Sequence, residues 1–481
     1  MIRKAYIILA VSVLCLVMIT GCSNEKGNNV HIGVAEDHYK GLAAKDYERS
    51  DQLTVLHNLY RGLFEIENMR VVPVLVKEYR YNNDATQLII NINENYLWSD
   101  GSPLTSDQVI ESLLALENAQ GRYSYQVQNI DWSLEEPITI NEDHQIVVNL
   151  SRPNPYFHKL LAMPIFYPVK NTSDPLAGPF TGAFIVGEQS DNKLVLVPDS
   201  GRENAESIVT ESIIITYGHG AETLSEKYSN RDFDVAFSQV HLQDGSTQKI
   251  VAPAIRLLWI NSMSEPFADQ NARQTLTDAI NASRIVRELN NSEQELQGIY
   301  PSLFRKEAKE SIAVDFDTHS FEGFSIRMLS LDDKTHRIVA EKIKEQLSQT
   351  DVADIIIEYA APDEFYQKIR SADFDLALDQ WEADIYGKYP FFELFRNPLH
   401  NPVNASALII PEINVLQNEL VTTSDPADRE KIYAELERLI KEVAPAAFIS
   451  EGYEKELYIQ RIKNATVNPI YVTVRFDDVR Y

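Results

Sequence analysis

The sequence predicts a mixed α/β protein that divides into two or three domains. Its 481 residues exceed the usual size of one domain, which is about 100 to 200 residues. The composition is that of a folded protein, since 44% of the residues are hydrophobic and 24% are charged. Strand-like alternations and helix-like periodic stretches follow one another along the chain, and no internal repeat is visible.

Two segments have the pattern of strands with one buried face. Apolar residues occupy every second position from Leu88 to Ile92 and again from Ile146 to Leu150. Successive side chains of a strand point to opposite faces of a sheet, so this alternation places these apolar side chains on one face. We therefore predict a strand in each segment.

Two helices have marked starting signals. Thr105 stands three residues before Gln108, and such a pair can cap the first turn of a helix reciprocally. Asp425 precedes Pro426, and proline loses no hydrogen bond at the first helical position. Apolar residues at helical spacing follow both signals, and weaker patterns of the same kind occupy two further segments, 272–280 and 336–347.

The chain begins with the features of an exported lipoprotein. Two positive residues, Arg3 and Lys4, precede an apolar stretch of about 15 residues, which is shorter than the roughly 20 that span a bilayer. Small residues then lead to Cys22, in a pattern that resembles a lipoprotein lipobox. The resemblance implies cleavage after Gly21 and acylation of Cys22, followed by a polar leash from Ser23 to Asn29.

Charge and cysteine content narrow the functional classes. The formal net charge of −27 opposes direct binding to nucleic acid or to an anionic membrane surface. Cys15 is the only cysteine besides Cys22. Because Cys15 lies in the apolar leader, the mature chain is predicted to form no disulfide.

The sequence contains none of the local motifs of common enzymes. HExxH, GxxxxGK[ST], GxSxG, GxGxxG and CxxC are all absent, and the ten histidines are scattered. We therefore predict a binding protein that is not an enzyme and that needs neither a metal nor another cofactor. An exported hydrolase stays an alternative, because the residues of a catalytic triad need not be close in sequence.

Several segments resemble, in their order and spacing, family 5 of the extracellular solute-binding proteins. The first group comprises YRGL at 60–63, VPVLV at 72–76 and WSDGSPLTSDQV at 98–109. The segments GPFTGAF at 178–184 and YSNRDFDV at 228–235 follow. With a helical segment at 429–447, the resemblance covers nearly the entire mature chain.

The resemblance implies a periplasmic-binding-protein-like fold of type II (cluster C). Two hinged α/β lobes close over a ligand in this class, and an extra domain is added to them. The expected division is a signal peptide at 1–21, the leash and start of lobe 1 at 22–50, the extra domain at 51–177, lobe 1 at 178–255, lobe 2 at 256–444, and a return to lobe 1 at 445–481.

The resemblance also implies ligand-binding residues. The segment 374–395, FDLALDQWEADIYGKYPFFELF, is similar to a family block in which an aspartate three residues after a tryptophan pairs with the ammonium group of a peptide. This carries over to Asp384 and Trp381, which would otherwise be a surface acid and a core aromatic. Trp259 and Asn261 form the second candidate pair, and Asn261 either hydrogen-bonds the ligand or terminates a strand.

The implied function is that of a substrate-binding lipoprotein of an ABC importer. It would capture a short peptide or a similar solute between its closing lobes and deliver it to the permease subunits. We expect a monomer, anchored in the cell envelope through lipid on Cys22 and facing the periplasm or the cell exterior. Two alternatives stay open: a ligand-sensing or adaptor lipoprotein on this scaffold, and transport of a nickel chelate, haem or oligosaccharide.

Overall fold

The computed structural model of the protein describes residues 27–35, 49–67, 70–119, 124–202, 205–237, 242, 247–289, 291, 293–305, 321, 324–349, 354–383, 387–398, 403–423, 425–468, 470 and 472–480. Two residues that the sequence singled out, Cys22 and Asp384, lie outside these ranges. The predicted signal peptide lies outside them as well.

Nineteen strands arranged in four sheets are found in the described residues. In chain order they are β1 (Asn29–Val34), β2 (Phe64–Glu67), β3 (Arg70–Pro73), β4 (Val76–Tyr81), β5 (Gln87–Ile92), β6 (Ile138–Ile140), β7 (Ile146–Asn149), β8 (Phe184–Ser190), β9 (Lys193–Pro198), β10 (Ser212–Thr216), β11 (Val235–Phe237), β12 (Thr247–Ile260), β13 (Gln294–Glu295), β14 (Ser325–Leu331), β15 (Asp354–Ala360), β16 (Leu376–Glu382), β17 (Ala446–Ile459), β18 (Thr466–Asn468) and β19 (Thr473–Arg475).

The same residues form twelve α-helices. They are α1 (Ser50–Leu59), α2 (Ser106–Leu114), α3 (Ser124–Val127), α4 (Phe157–Leu160), α5 (Gly220–Ser229), α6 (Gln270–Asp278), α7 (Ala282–Leu289), α8 (Lys334–Gln349), α9 (Pro362–Ser371), α10 (Tyr389–Glu393), α11 (Pro411–Thr422) and α12 (Pro426–Val443). Short 3-10 helices occupy Pro164–Phe166, Pro175–Ala177, Ala205–Ser207, Glu265–Phe267 and Ser302–Phe304. Among the helices of the described ranges, none combines the length and the apolar character that crossing a membrane requires.

The largest sheet has two parallel halves. Its order is β15-β14-β16-β12-β17-β11-β1-β10-β9-β8, with β13 paired to β17. In one half β14 lies parallel to β15 and β16, and in the other half β1 lies parallel to β10 and β11. The antiparallel pair of β12 and β17, each 14 residues long, joins the two halves.

The connecting strands are irregular between the two halves. The register of β12 against β17 shifts between Ala252 and Ile255, and again between Arg256 and Leu257. Shifts of this kind bend a strand and increase its local twist. The irregularity therefore lies where one half of the sheet changes into the other.

The ladder between β12 and β16 separates two apolar cores. Leu258 and Leu378 face each other and belong to the core that also contains residues of α8. Trp259 and Ala377 face each other one position away and belong to the other core. Because neighbouring residues of a strand point to opposite faces, the sequence of each strand supplies both cores alternately.

The predictions made from cap and alternation patterns are confirmed. Thr105 accepts a hydrogen bond from the Gln108 backbone N–H, and the Gln108 side chain accepts one from the Thr105 N–H at the start of α2. Asp425 caps α12 by accepting from the backbone N–H groups of Ala427 and Asp428. The two predicted strands are β5 and β7, which pair in a four-stranded antiparallel sheet of order β4-β5-β7-β6. The two weaker helical segments are α6 and α8.

Candidate functional site

The main cavity, of about 1320 Å³, lies beside the β14–β16 half of the large sheet. Residues of β12 and β16, the beginning of α8 and one side of α9 line it. Leu331, which ends β14, and Glu382, which ends β16, both belong to its wall. Ligands of open α/β sheets bind at the carboxyl ends of parallel strands, so this cavity has the expected position of a binding site.

Two tryptophans that the sequence selected meet in this cavity. Trp259 of β12 and Trp381 of β16 both line it. In the β12–β16 ladder Trp259 is opposite Ala377, and Ile255 is opposite Trp381. Since alternate residues share a face, both indole side chains lie on the same face of the sheet. The structure thus brings together residues that are more than a hundred positions apart in the chain.

Asp379 lies on that face between them. Its side chain is 9% exposed, and it lines the cavity. Its carboxylate accepts hydrogen bonds from the Gln380 backbone N–H at 2.8 Å and from the Trp259 indole Nε1–H at 3.2 Å. Burial raises the pKa of Asp379 above its ordinary value, and these hydrogen bonds offset only part of the rise. No Lys, Arg or His side chain of the described residues forms an ion pair with it.

Trp381 carries a second unsatisfied polar group. Its Nε1 atom is buried and has no hydrogen-bond partner in the described part of the chain. A buried donor without an acceptor costs about 1–3 kcal/mol. The wall of the cavity therefore contains two polar groups, the Asp379 carboxylate and this N–H, that the protein leaves incompletely compensated.

Arg256 and Gln380 belong to the opposite face and form a compensated network. The Arg256 guanidinium donates to both oxygens of Glu293 at 2.9 and 3.2 Å and to Gln380 at 3.0 Å. Burial would raise the pKa of Glu293, but the charge and hydrogen bonds of Arg256 outweigh it and hold that pKa below its ordinary value. Each of these buried charges thus has an internal partner.

His336, near the start of α8, extends this network. Its Nε2 atom lies 2.9 Å from an Arg256 nitrogen, and its Nδ1 atom lies 2.6 Å from Asp333. Arginine only donates, so Nε2 must accept and the ring proton is placed on Nδ1, facing Asp333. Asp333 also accepts from the His336 backbone N–H at 3.0 Å and so caps α8.

The other two predicted ligand residues have different positions. Asn261 is buried, and its side-chain amide donates to the Phe374 carbonyl at 2.7 Å and to the Ala372 carbonyl at 3.2 Å. These contacts tie the end of β12 to the segment before β16, which is the strand-end role considered for this residue; a ligand contact stays a prediction. Asp384 lies outside the described residues, two positions after Glu382 of the cavity wall, and its role also stays a prediction.

The sequence reading missed Asp379. An acid in a strand is usually solvated, and nothing local distinguishes Asp379 from the 71 acidic residues of the chain. One signal was present: Asp379 precedes Trp381 by two positions and so shares its face in any strand. Its burial depends on β12, which the sequence does not pair with β16.

A second cavity, of about 550 Å³, differs in how its charges are satisfied. Arg61 and Arg202 line it, together with Asp199. The Arg61 guanidinium lies 2.6 Å from Glu65, and the Arg202 guanidinium lies 3.3 Å from Asp199. Because these charges are paired within the protein, this cavity is the weaker candidate.

Comparison with known proteins places the chain in a family. Residues 70–402 match the bacterial extracellular solute-binding proteins, family 5, which is more than half of the chain. The oligopeptide-binding protein OppA of Bacillus subtilis (strain 168) is 20% identical over 479 residues, covering 87% of this chain and 84% of that protein. The periplasmic murein peptide-binding protein MppA of Escherichia coli (strain K12) is 20% identical over 471 residues, with coverages of 87% and 86%. These relatives are named as binding proteins and not as enzymes.

Solved structures have the same fold. The clavulanic acid biosynthesis oligopeptide binding protein 2 superposes with a TM-score of 0.77 at 16% identity, covering 94% of this chain and 95% of its own. The unliganded open form of the murein tripeptide binding protein MppA superposes with a TM-score of 0.74 at 17% identity, covering 94% and 97%. The predicted fold class, a two-lobed α/β architecture of the type II periplasmic-binding-protein kind, is confirmed. The chain belongs to family 5 of the bacterial extracellular solute-binding proteins.

Proposed function

We propose that this protein is the solute receptor of an ABC importer and that its solute is a short peptide. The cavity of about 1320 Å³ beside β12 and β16 carries the proposal. It exceeds the roughly 300–1,000 Å³ typical of pockets for small molecules, so it has room for several linked residues. Relatives that are named as oligopeptide-binding and murein peptide-binding proteins support the same class of solute.

The sheet supports a hinge between the lobes. We keep the predicted lobe boundaries of 178–255, 256–444 and 445–481, and the extra domain at 51–177. The register shifts of β12 near Arg256 adjoin the first of these boundaries, and bulged strands bend readily. A solute that contacts both lobes stabilises the closed form, which the permease then recognises.

The proposed chemistry of capture combines flat apolar walls with few polar anchors. Trp259 and Trp381 provide the walls, and Asp384 binds the ammonium group of the peptide, as the family resemblance implies. The peptide main chain is held by strand-like hydrogen bonds, and Asn261 is retained as a candidate donor. Water in the remaining volume tolerates varied side chains.

The solute can be identified from the native protein. The experiment extracts the anchored protein with detergent, denatures it, and analyses the released solutes by mass spectrometry. We expect short peptides from the wild type and few from Asp384→Asn, while the exposed-turn control Asp191→Asn retains them. Release of haem, a nickel chelate or oligosaccharide would contradict the peptide assignment. Peptide binding without import through a cognate permease would favour the sensor alternative.

The lipid anchor has an independent test. We expect the wild type to incorporate a labelled fatty acid and to remain with the membrane fraction after washing with salt, because acyl chains partition into the bilayer. Cys22→Ser should lose the label and move to the soluble fraction. A Cys22→Ser protein that stays membrane-bound without label would contradict the anchor.

A further inference from the structure

Asp379 is an unusual carboxylate for a solvent-excluded position. Buried charges in proteins are normally paired with an opposite charge, because removing a lone ion from water is costly. Asp379 is 9% exposed, yet its hydrogen-bond donors, the Gln380 N–H and the Trp259 indole, are both neutral. Its raised pKa reflects this lack of a cation. The side chain therefore keeps capacity for a positive partner, and it borders the main cavity.

The surroundings of Asp379 suit a cationic group. Trp259 and Trp381 line the cavity on the same face, and indole rings attract cations through their electron-rich faces. Tyr366 of α9, 41% exposed, adds a third aromatic ring to the wall. The positive charge of Arg256 is held by Glu293 on the other face of the ladder.

Two other cations line the cavity but do not neutralise Asp379. Lys334 of α8 and Arg370 of α9 are exposed, and neither forms an ion pair in the part of the chain that the structure describes. Solvent screens them more strongly than it screens a buried carboxylate. The cavity is therefore polarised, with a buried negative group on the sheet and exposed positive groups on the helices.

We propose that Asp379 binds a cationic nitrogen of the solute against the indoles of Trp259 and Trp381, so that the receptor selects solutes with a basic group. This inference rests on the proposed function and names the class of its solute. The nitrogen is either an N-terminal ammonium or a basic side chain. Both form the same charge-assisted hydrogen bond to a carboxylate.

The test measures peptide binding by calorimetry on protein freed of solute by unfolding and refolding. The peptides are Ala-Lys-Ala, Ala-Ala-Ala, Ala-Glu-Ala and N-acetylated Ala-Lys-Ala. For a side-chain nitrogen, wild type should bind Ala-Lys-Ala about tenfold or more tightly than Ala-Ala-Ala, and should keep that preference after acetylation. For an N-terminal ammonium, acetylation should weaken binding by about the same factor and lysine should add little.

Variants assign the effect to Asp379. Asp379→Asn should reduce whichever preference is seen to about twofold or less, and the exposed control Asp191→Asn should leave it unchanged. Unchanged affinities in a folded Asp379→Asn protein would overturn the inference. So would tighter binding of Ala-Glu-Ala than of Ala-Lys-Ala by wild type, a comparison that needs no variant.

Failure of the inference is distinguishable from failure of the proposed function. If charged and uncharged peptides bind equally, only the role of Asp379 is rejected. If no peptide binds, the peptide function is rejected, and the solutes released from the native protein then decide the inference. Released solutes that contain a basic nitrogen would support it, and solutes without one would overturn it.

Discussion

The two faces of the β12–β16 ladder treat buried charge in opposite ways. On one face Arg256 is bound to Glu293, and the pair is extended by His336 and Gln380. On the other face Asp379 has only neutral donors within the described residues. Accordingly, the pKa of Glu293 is lowered by its partners, whereas the pKa of Asp379 is raised by burial.

This difference separates structural charge from charge available to a ligand. The Arg256 network spans β12, β16, α8 and the Glu293 segment, so it fixes the strand where its register shifts. Nothing in the described structure needs Asp379 for comparable cross-links. A polar group that is buried, borders a cavity and lacks a charged partner has the character of a binding group.

The largest expected effect comes from breaking the paired face. Arg256→Ala leaves Glu293 buried without its cation, and we expect a loss of about 3–5 kcal/mol in the free energy of unfolding. Urea denaturation measures this loss. Arg438→Ala, which removes an exposed pair with Glu435 on α12, is the matched control and should cost about 1 kcal/mol or less. Equal losses in the two variants would show that the Arg256 pair is not a structural element.

A smaller effect should distinguish the two tryptophans. Trp259→Phe removes the indole N–H that hydrogen-bonds Asp379, and we expect a loss of about 1.5–3 kcal/mol beyond that of Trp381→Phe. Trp381→Phe removes a donor that has no partner, so its cost in hydrogen bonding is absent. Urea denaturation of the solute-free proteins at pH 7 provides both values. A greater loss in Trp381→Phe than in Trp259→Phe would contradict the contact pattern of this face.

The smallest effect is a difference in the sign of pH dependence. Asp379 has a raised pKa, so wild type should gain stability relative to Asp379→Asn as the pH falls from 7 toward the ordinary value of 3.8. Glu293 has a lowered pKa, so wild type should lose stability relative to Glu293→Gln as the pH falls below the ordinary value of 4.5.

Urea denaturation between pH 7 and pH 3 follows both differences. His336 and Arg256 lie near Asp379, and both are retained in each variant, so their own contributions largely cancel in the comparison. Asp363 and Glu382, the other acids of the cavity wall near it, are retained as well. The same sign for the two differences would contradict the assignment of one paired and one unpaired carboxylate.

Local features of the fold were predictable from the sequence. The cap at Thr105 and Gln108 depends on residues three positions apart, and the strands β5 and β7 follow from alternation within a few residues. The family resemblance supplied Trp381 and the two-lobed architecture. Each of these signals is contained in a short segment or in the order of several segments.

The remainder depends on contacts between distant parts of the chain. Arg256 meets Glu293 and His336, which lie 37 and 80 positions away, and no local pattern links them. The length of β12 and its irregular register arise from pairing with β17, nearly two hundred positions later. Asp379 acquires its burial through the same kind of pairing, so its role emerged only from the assembled sheet.

The most direct test is a crystal structure of the protein with Ala-Lys-Ala bound. The account predicts the peptide in the cavity of about 1320 Å³, beside Trp259 and Trp381, with a cationic nitrogen within hydrogen-bonding distance of Asp379. A peptide bound instead in the cavity of about 550 Å³ near Arg61 and Arg202, or density that leaves the β12–β16 face empty, would contradict it.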